Sequence, residues 1–290
     1  MGFRVLVVNT HSKLSYKNNY LCFKSAERVE SIHLSEIDML VLETTDIAIT
    51  TMLLAKLARQ NTCVIFCDEK RLPSAQFVPF YGRHDSSLTL KNQIAWSEEK
   101  KAAATFEILR QKIFNQSLFL DAHGFCEKAD AVRCLLGDLA LYDPTNREGH
   151  AARIFFNTLY GNNFSRDEVS EINAALDYGY TMIMSVFARE IVKCGCITQL
   201  GINHHNQFNP FNLASDLMEP FRVLVDEIVY ENRKKYFDAI KWRLFEIFDT
   251  TYVFGGANMF MNNIVGKYVK SCIAYLGDES SELPVFRYGV

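Results

Sequence analysis

The sequence predicts an α+β protein: a small antiparallel β-sandwich with one helix at the N-terminus, then a larger all-α domain. Three observations carry this. The first 80 residues hold short runs rich in Val, Ile and Phe, separated by polar breaks. Beyond residue 88 the texture changes to Ala, Leu, Glu and Lys, and no proline occurs between Pro79 and Pro144. With 290 residues, 49% of them hydrophobic and 22% charged, the chain can bury the cores of about two domains. The expected division is residues 1–80, a linker at 81–87, and residues 88–290.

In order, strands are expected at residues 3–8, 20–25, 29–34, 39–43, 63–67 and 76–79. A helix at 47–59, capped by Thr45 or Asp46, presents Ile47, Met52, Leu54 and Leu57 on one side. Further helices are expected at 88–116, 129–141, 148–160, 171–192, 216–232 and 235–248, with a last one near 258–276.

Several classes are excluded. The longest charge-free stretch, residues 194–215, carries four Asn, two Gln and two His, so it is no membrane span. The N-terminal apolar run is too short for a signal peptide and reads as a first strand, so a soluble, cytoplasmic protein with no membrane partner is expected. Eight Cys without a secretory signal read as reduced thiols. Cys63 and Cys67 are four residues apart on a strand, about 13 Å, which is too far to share an ion. There is no Walker loop, dinucleotide fingerprint or Gly-x-Ser-x-Gly elbow. Net charge is −3, and no block is strongly basic.

Two segments stand out chemically. Pro144-Thr145-Asn146-Arg147-Glu148 fits a capping box, with Thr145 as N-cap and Glu148 as its return partner. Gly149, just inside that helix, is costly there unless something approaches the backbone closely, a phosphate or another helix. The second segment runs through His204 and His205 into Asp216 and Glu219, three apart on one helical face. Pro220 places both acids at a helix N-terminus, where they serve either as cap and return partner or as ligands. A neutral loop rich in Asn and His leading into clustered carboxylates suits a site lining. One imidazole with two or three carboxylates and no thiolate forms a hard-cation set, suited to Mg²⁺ or Mn²⁺ and to phosphoester chemistry.

These residues carry a resemblance. Glu148-Gly149-His150-Ala151-Ala152-Arg153, the run from Asn173 to Tyr180, Gly201-x-x-His204, and Asp216-Leu217-Met218-Glu219-Pro220-Phe221-Arg222 occur in that order. Together they resemble the CRISPR-associated endonuclease/integrase, the larger of the two universal spacer-acquisition proteins. Val8-Asn9-Thr10-His11-Ser12-Lys13 and Phe80-Tyr81-Gly82-Arg83-His84-Asp85 are similar to its short type II form.

The resemblance implies a metal-dependent enzyme that joins 3′-hydroxyl ends of short prespacer DNA duplexes to a CRISPR repeat by transesterification. It implies that Glu148, His204 and Glu219 bind Mg²⁺ or Mn²⁺, with Asp216 and His205 in support. His205, adjacent to His204, remains the alternative imidazole. His150, Arg153, Arg222, Arg83 and His84 are DNA-contact candidates, and an ion pair to Asp216 or Glu219 is the competing role for Arg222. Arg233, Lys234, Lys235, Lys241 and Arg243 are further candidates or simply a solvated helix face. Expected partners are double-stranded DNA, a second copy of the chain through the N-terminal domain, and a dimer of the smaller acquisition protein flanked by two such dimers. The type II form adds an accessory acquisition protein and the RNA-guided effector nuclease. A stand-alone nuclease acting on branched or repair DNA would use the same residues, and a non-catalytic scaffold would use the carboxylates only as caps.

Overall fold

The computed structural model describes every residue except Met1, Phe3, Phe80, Tyr81, Gly82 and Val290. Tyr81 and Gly82 of the expected linker, and with them Phe80 of the Phe80–Asp85 motif, therefore lie outside the described residues. The chain forms two compact units, one of Met1–Ser86 with Val192–Gly195 and one of Ser87–Ile191 with Cys196–Val290.

The first unit contains β1 (Arg4–Val8), β2 (Ser12–Lys17), β3 (Tyr20–Lys24), β4 (Val29–His33), β5 (Ile37–Leu42), β6 (Ile47–Ile49), α1 (Thr51–Arg59), β7 (Cys63–Cys67) and β8 (Pro73–Phe77). They make two four-stranded sheets, ordered β1-β5-β7-β8 and β4-β3-β2-β6. One core takes Val8, Leu40, Leu42 and Val64 from the first sheet, Leu14, Leu21 and Phe23 from the second, and Leu53 and Leu57 from α1.

The pairing corrects the antiparallel expectation. β1–β5, β5–β7 and β2–β6 are parallel, while β2–β3, β3–β4 and β7–β8 are antiparallel. Parallel neighbours need long connections, and here the chain between β1 and β5 is spent on the second sheet. Burial of all six residues of β5 is the mark of such a strand. The expected helix start at Ile47 is also corrected: residues 47–49 pair with β2, and α1 begins after extended Thr50. β2 has no strand signature of its own, since Ser12-Lys13-Leu14-Ser15-Tyr16-Lys17 has few apolar residues. Its turn into β3 uses Asn18 and Asn19, both at positive φ, the hairpin geometry Asn tolerates best after Gly.

The second unit runs α2 (Ser86–Ile94), α3 (Glu98–Ala122), α4 (Cys126–Cys134), α5 (Arg147–Tyr160), α6 (Glu171–Lys193), α7 (Asn212–Leu217), α8 (Arg222–Glu231), α9 (Phe237–Leu244), α10 (Glu246–Asp249), β9 (Thr251–Phe254), β10 (Ala257–Phe260) and α11 (Met261–Leu276). It is therefore not all-α. The β9–β10 hairpin turns on Gly255 and Gly256, both at positive φ. The helix expected at 88–116 is two, because Ser97 caps a new start by accepting the Lys100 N–H. The helix expected at 216–232 breaks at Glu219–Phe221, a 3₁₀ turn where Pro220 has no N–H to offer. Residues 129–141 and 235–248 likewise divide, into α4 with a 3₁₀ turn and into α9 and α10. Among the described residues no helix is long and apolar enough to cross a membrane.

The long helix α3 organises this unit. Gln111 and Asn115 are buried on it, and their amides hold residues 284–288 like a strand partner. Gln111 donates to the Pro284 carbonyl (3.0 Å) and accepts the Phe286 N–H (3.0 Å). Asn115 accepts the Tyr288 N–H (3.1 Å) and donates to the Phe286 carbonyl (3.2 Å) and the Pro220 carbonyl (2.8 Å). Phe286 stacks on Phe221 at 4.1 Å. One amide thus ties the C-terminal segment to the turn that carries Glu219.

Replacing Asn115 by Ala strands three buried backbone groups, so Asn115→Ala is expected to lose on the order of 3 kcal/mol of stability in urea unfolding. Asn115→Ala combined with removal of residues 284–289 should cost much less than the two changes summed.

Candidate active site

Glu148 enters the site from the first turn of α5. The turn before it is left-handed at Tyr142, Asp143 and Asn146. Asp143 accepts the Arg147 and Glu148 N–H groups at 2.7 and 2.8 Å, and Asn146, the N-cap, accepts the Gly149 N–H at 3.2 Å. The cap is therefore Asn146, not Thr145, and Glu148 is released from a capping role. This also explains Gly149, where a Cβ would lie 2.5 Å from the Asn146 side chain. The close approach comes from the cap, rather than from a phosphate or another helix.

His204 sits in the neutral loop, which is stitched together by its own amides. Asn212 donates to the carbonyls of Gln199 (3.1 Å) and Asn206 (3.0 Å), while Asn206 and Asn209 accept N–H groups two residues on. Asp216 closes the loop. It lies inside α7 rather than at a helix start, and accepts the N–H groups of Ile202 (2.7 Å), Asn203 (3.1 Å) and His204 (3.0 Å). It also bonds His204 Nδ1 at 2.5 Å. With Nδ1 directed at a carboxylate, His204 keeps Nε2 as its open nitrogen. Gly201 is required by the same geometry, because a Cβ there would lie 2.3 Å from the His204 carbonyl oxygen.

Glu219 opens the 3₁₀ turn and is 5% exposed. Its Oε2 meets Arg222 Nε at 3.0 Å and Lys112 Nζ at 2.6 Å. Lys112, from α3, also bonds Glu148. Two carboxylates sharing one ammonium bring their oxygens to within about 5 Å of each other. Arg222 covers the Tyr180 ring at 4.7 Å, and Tyr180 donates its hydroxyl to buried Asp226.

Glu148, His204, Asp216 and Glu219 line a single cavity of about 40 Å³ with Thr105, Ile108, Leu109, Ile202 and Asn203. Among the described residues no three His, Cys, Asp or Glu side chains converge on a common ion position. The space between the two Glu carboxylates is taken by the Lys112 ammonium, so a cation already stands between these acids. The donors are hard oxygens and an imidazole, matching a hard divalent ion in chemical type.

His205 is exposed and lines a separate, larger cavity with Phe208 and Trp96. His150 and Arg153 are exposed on α5. Arg222 takes the ion-pair role, with Glu219 as partner. Arg83 and His84 are exposed in the first unit, and Arg83 is held in a two-pronged pair with Asp85 (2.8 and 2.6 Å). Arg233, Lys234, Lys235 and Arg243 are exposed, whereas Lys241 is 2% exposed and packs by Phe237 and Trp242, removing it from a solvated face. Lys112, Tyr180, Asp226 and Asp143 are the site's unforeseen members. Lys112 has no local motif to reveal it, whereas Tyr180 closes one of the quoted motifs.

Charge is closely balanced. Burial alone would raise the Glu219 carboxyl, but Arg222 and Lys112 outweigh it and hold the pKa at about 2. The Asp216 hydrogen bond, against burial, raises His204 above its ordinary value. Burial pushes Asp226 up to about 7, even though the Tyr180 hydroxyl and Arg222 pull it down.

A carboxyl with a raised folded pKa contributes stability fully present below its unfolded pKa and lost as pH rises through the folded value. Asp226 should therefore cost the protein stability progressively between about pH 4 and pH 7, reaching a few kcal/mol by about pH 8. Asp226→Asn is expected to flatten that slope when thermal unfolding is followed across the range. An unchanged slope in the variant would contradict it.

The family profile described as CRISPR associated protein Cas1 matches residues 5–239. The CRISPR-associated endonuclease Cas1 of Neisseria meningitidis serogroup C is 34% identical over 226 residues, covering 78% of this chain and 74% of that protein. A casposase bound to integration product superposes with a TM-score of 0.77 at 16% identity, over 97% of this chain and 92% of the casposase. A Cas6-RT-Cas1–Cas2 complex does so with a TM-score of 0.76 at 17% identity, over 98% of this chain and 36% of that one. This chain, with its acidic and imidazole side chains gathered from α5, the 201–204 loop and the Glu219 turn, belongs to the Cas1 family of CRISPR-associated proteins.

Proposed function

We propose that this chain holds one divalent cation, Mg²⁺ or Mn²⁺, through Glu148, His204 and Glu219 and uses that centre to join the 3′-hydroxyl ends of short prespacer DNA duplexes to a CRISPR repeat. As a Cas1-family chain it is an integrase and endonuclease of CRISPR adaptation. What supports the residue assignment is one observation: three chain segments, more than 50 residues apart at the extreme, deliver these side chains to a single small cavity.

In the reaction a new bond forms between the incoming 3′ oxygen and phosphorus, and the repeat strand's P–O3′ bond breaks. A divalent ion held by Glu148, His204 and Glu219 would supply positive charge to the scissile phosphate and would lower the pKa of the attacking hydroxyl. Glu148 and Glu219 offer carboxylate oxygens, and His204 offers Nε2. Asp216 fixes both the ring of His204 and the backbone beneath it, which is how an outer partner sharpens a ligand. Arg222, locked between Glu219 and the Tyr180 face, keeps Glu219 ionised. His150 and Arg153, exposed two and five residues beyond Glu148 on α5, are the side chains this reading assigns to DNA phosphates.

We also assign as partners double-stranded DNA, a second copy of the chain, and the smaller acquisition protein in a complex of two dimers around its dimer. The casposase with integration product and the Cas1–Cas2 complex among the superposing structures favour this. The type II accessory protein and effector nuclease, and a cytoplasmic location, belong to the same reading. With a net charge of −3 and no strongly basic block, this reading assigns the grip on phosphate to several chains at once.

The deciding assay supplies pre-cut duplex, a repeat-bearing plasmid, the smaller partner and Mn²⁺. Joined products are expected, and plain cutting without joining would point to a stand-alone nuclease. Glu148→Gln, His204→Ala and Glu219→Gln should each reduce joining by more than the roughly 10–100-fold that losing an outer partner costs. Their circular dichroism should stay unchanged. Full joining by His204→Ala would show that the imidazole is misassigned. A scaffold would show no Mn²⁺-dependent rise in unfolding temperature, whereas a cation bound only by the folded state must raise it.

A further inference from the structure

Among the described residues Lys112 is the one charged side chain that touches both acids, and neither motif nor neighbour in sequence connects it to them. Its side chain is 11% exposed. Its Nζ reaches Glu219 Oε2 at 2.6 Å and also bonds Glu148 Oε1. Glu219 forms a wall between two cavities. On one side lies the 40 Å³ space with Glu148, His204 and Asp216. On the other lies a space of about 80 Å³ with Lys112, Arg166, Tyr180, Arg222 and Asp226.

The charges on this wall close on themselves. Lys112 and Arg222 supply two positive charges, and Glu148 and Glu219 supply two negative ones. A divalent cation entering the smaller cavity would bring two further charges to the same carboxylates. It would compete directly with the ammonium for their oxygens, since a buried ion pair holds only while each charge keeps its partner. The larger cavity, lined by the Asp226 carboxyl as well as by Arg166 and Arg222, is where a displaced ammonium has room to go.

We propose that Lys112 is the built-in counter-ion of the metal site: it holds Glu148 and Glu219 together while the site carries no divalent cation, is displaced as the cation loads, and then turns into the larger cavity to contact a DNA phosphate. This rests on the reading of Glu148, His204 and Glu219 as the metal ligands. It makes cation loading the step that creates an anion site, so DNA grip at the centre follows the cation.

The test is calorimetric titration of Mn²⁺ into the full chain without DNA at about pH 8, where lysine is charged. Wild type is compared with Lys112→Met, which keeps the stem and removes the charge. Lys112→Met should unfold at a lower temperature without cation, bind Mn²⁺ about tenfold tighter, and gain more in unfolding temperature from it. In Mn²⁺ its affinity for short duplex DNA, read by fluorescence anisotropy, should fall. A lysine that merely supports the fold would leave Mn²⁺ affinity unchanged or weaken it, and either result overturns the proposal. A wild-type chain that binds no Mn²⁺ overturns the metal-site reading itself, which is a distinguishable outcome. Should Lys112→Met not fold, Mn²⁺-soaked crystals of the wild type decide. Lys112 Nζ is expected beyond hydrogen-bond reach of both carboxylates, and an Nζ still bonded to both beside a bound Mn²⁺ overturns the proposal.

Discussion

A carboxylate withdrawn from water must be matched by positive charge or it will not stay ionised, and that requirement at Glu219 shapes the second unit. Matching it takes Arg222 from the same turn and Lys112 from α3. Arg222 in turn needs the Tyr180 face, and Tyr180 needs Asp226 for its hydroxyl. The turn itself is anchored at the Pro220 carbonyl by Asn115. Remove the central acid and Arg222 loses its carboxylate, while Lys112 is left with Glu148 alone. Remove either cation and the acid loses much of what keeps it charged.

Asp216 solves a different problem with the same functional group. It faces no ammonium or guanidinium in the hydrogen bonds it makes. Its oxygens are occupied by three backbone N–H groups and an imidazole nitrogen, which turns a flexible loop into a fixed one. Two acids three residues apart thus divide their work. One organises backbone, and the other stands at the cavity wall with its charge held by Arg222 and Lys112.

What was readable in the chain, and what was not, follows from range. Strands such as β5 and β7, and the long helices α5 and α6, are stated by their own side chains, because burial on one or both faces leaves a local pattern. The pairing of those strands was not readable, since nothing in Ile37–Leu42 says which neighbour it will meet. The 216–232 segment reads as one helix until Pro220 breaks it, and the Gly255-Gly256 turn lies between the helices expected at 235–248 and near 258–276, where β10 takes residues 258–260 of the latter. At the site, Glu148, His204 and Glu219 could be named from motif order. Lys112 could not, because its importance arises only when α3 is laid against α5 and the Glu219 turn. Asn146 replaced Thr145 as the cap because it accepts a left-handed backbone and Thr does not readily do so.

The first unit is not a continuous piece of chain, since four of its residues are Val192–Gly195. During synthesis its sheets emerge first, and its final four residues leave the ribosome only after α2–α5 and nearly all of α6. At roughly 5–20 residues per second that delay lasts on the order of ten seconds. Every described strand and core side chain of the first unit lies within residues 4–77, so its sheets have all they pair with well before that tail of α6 arrives.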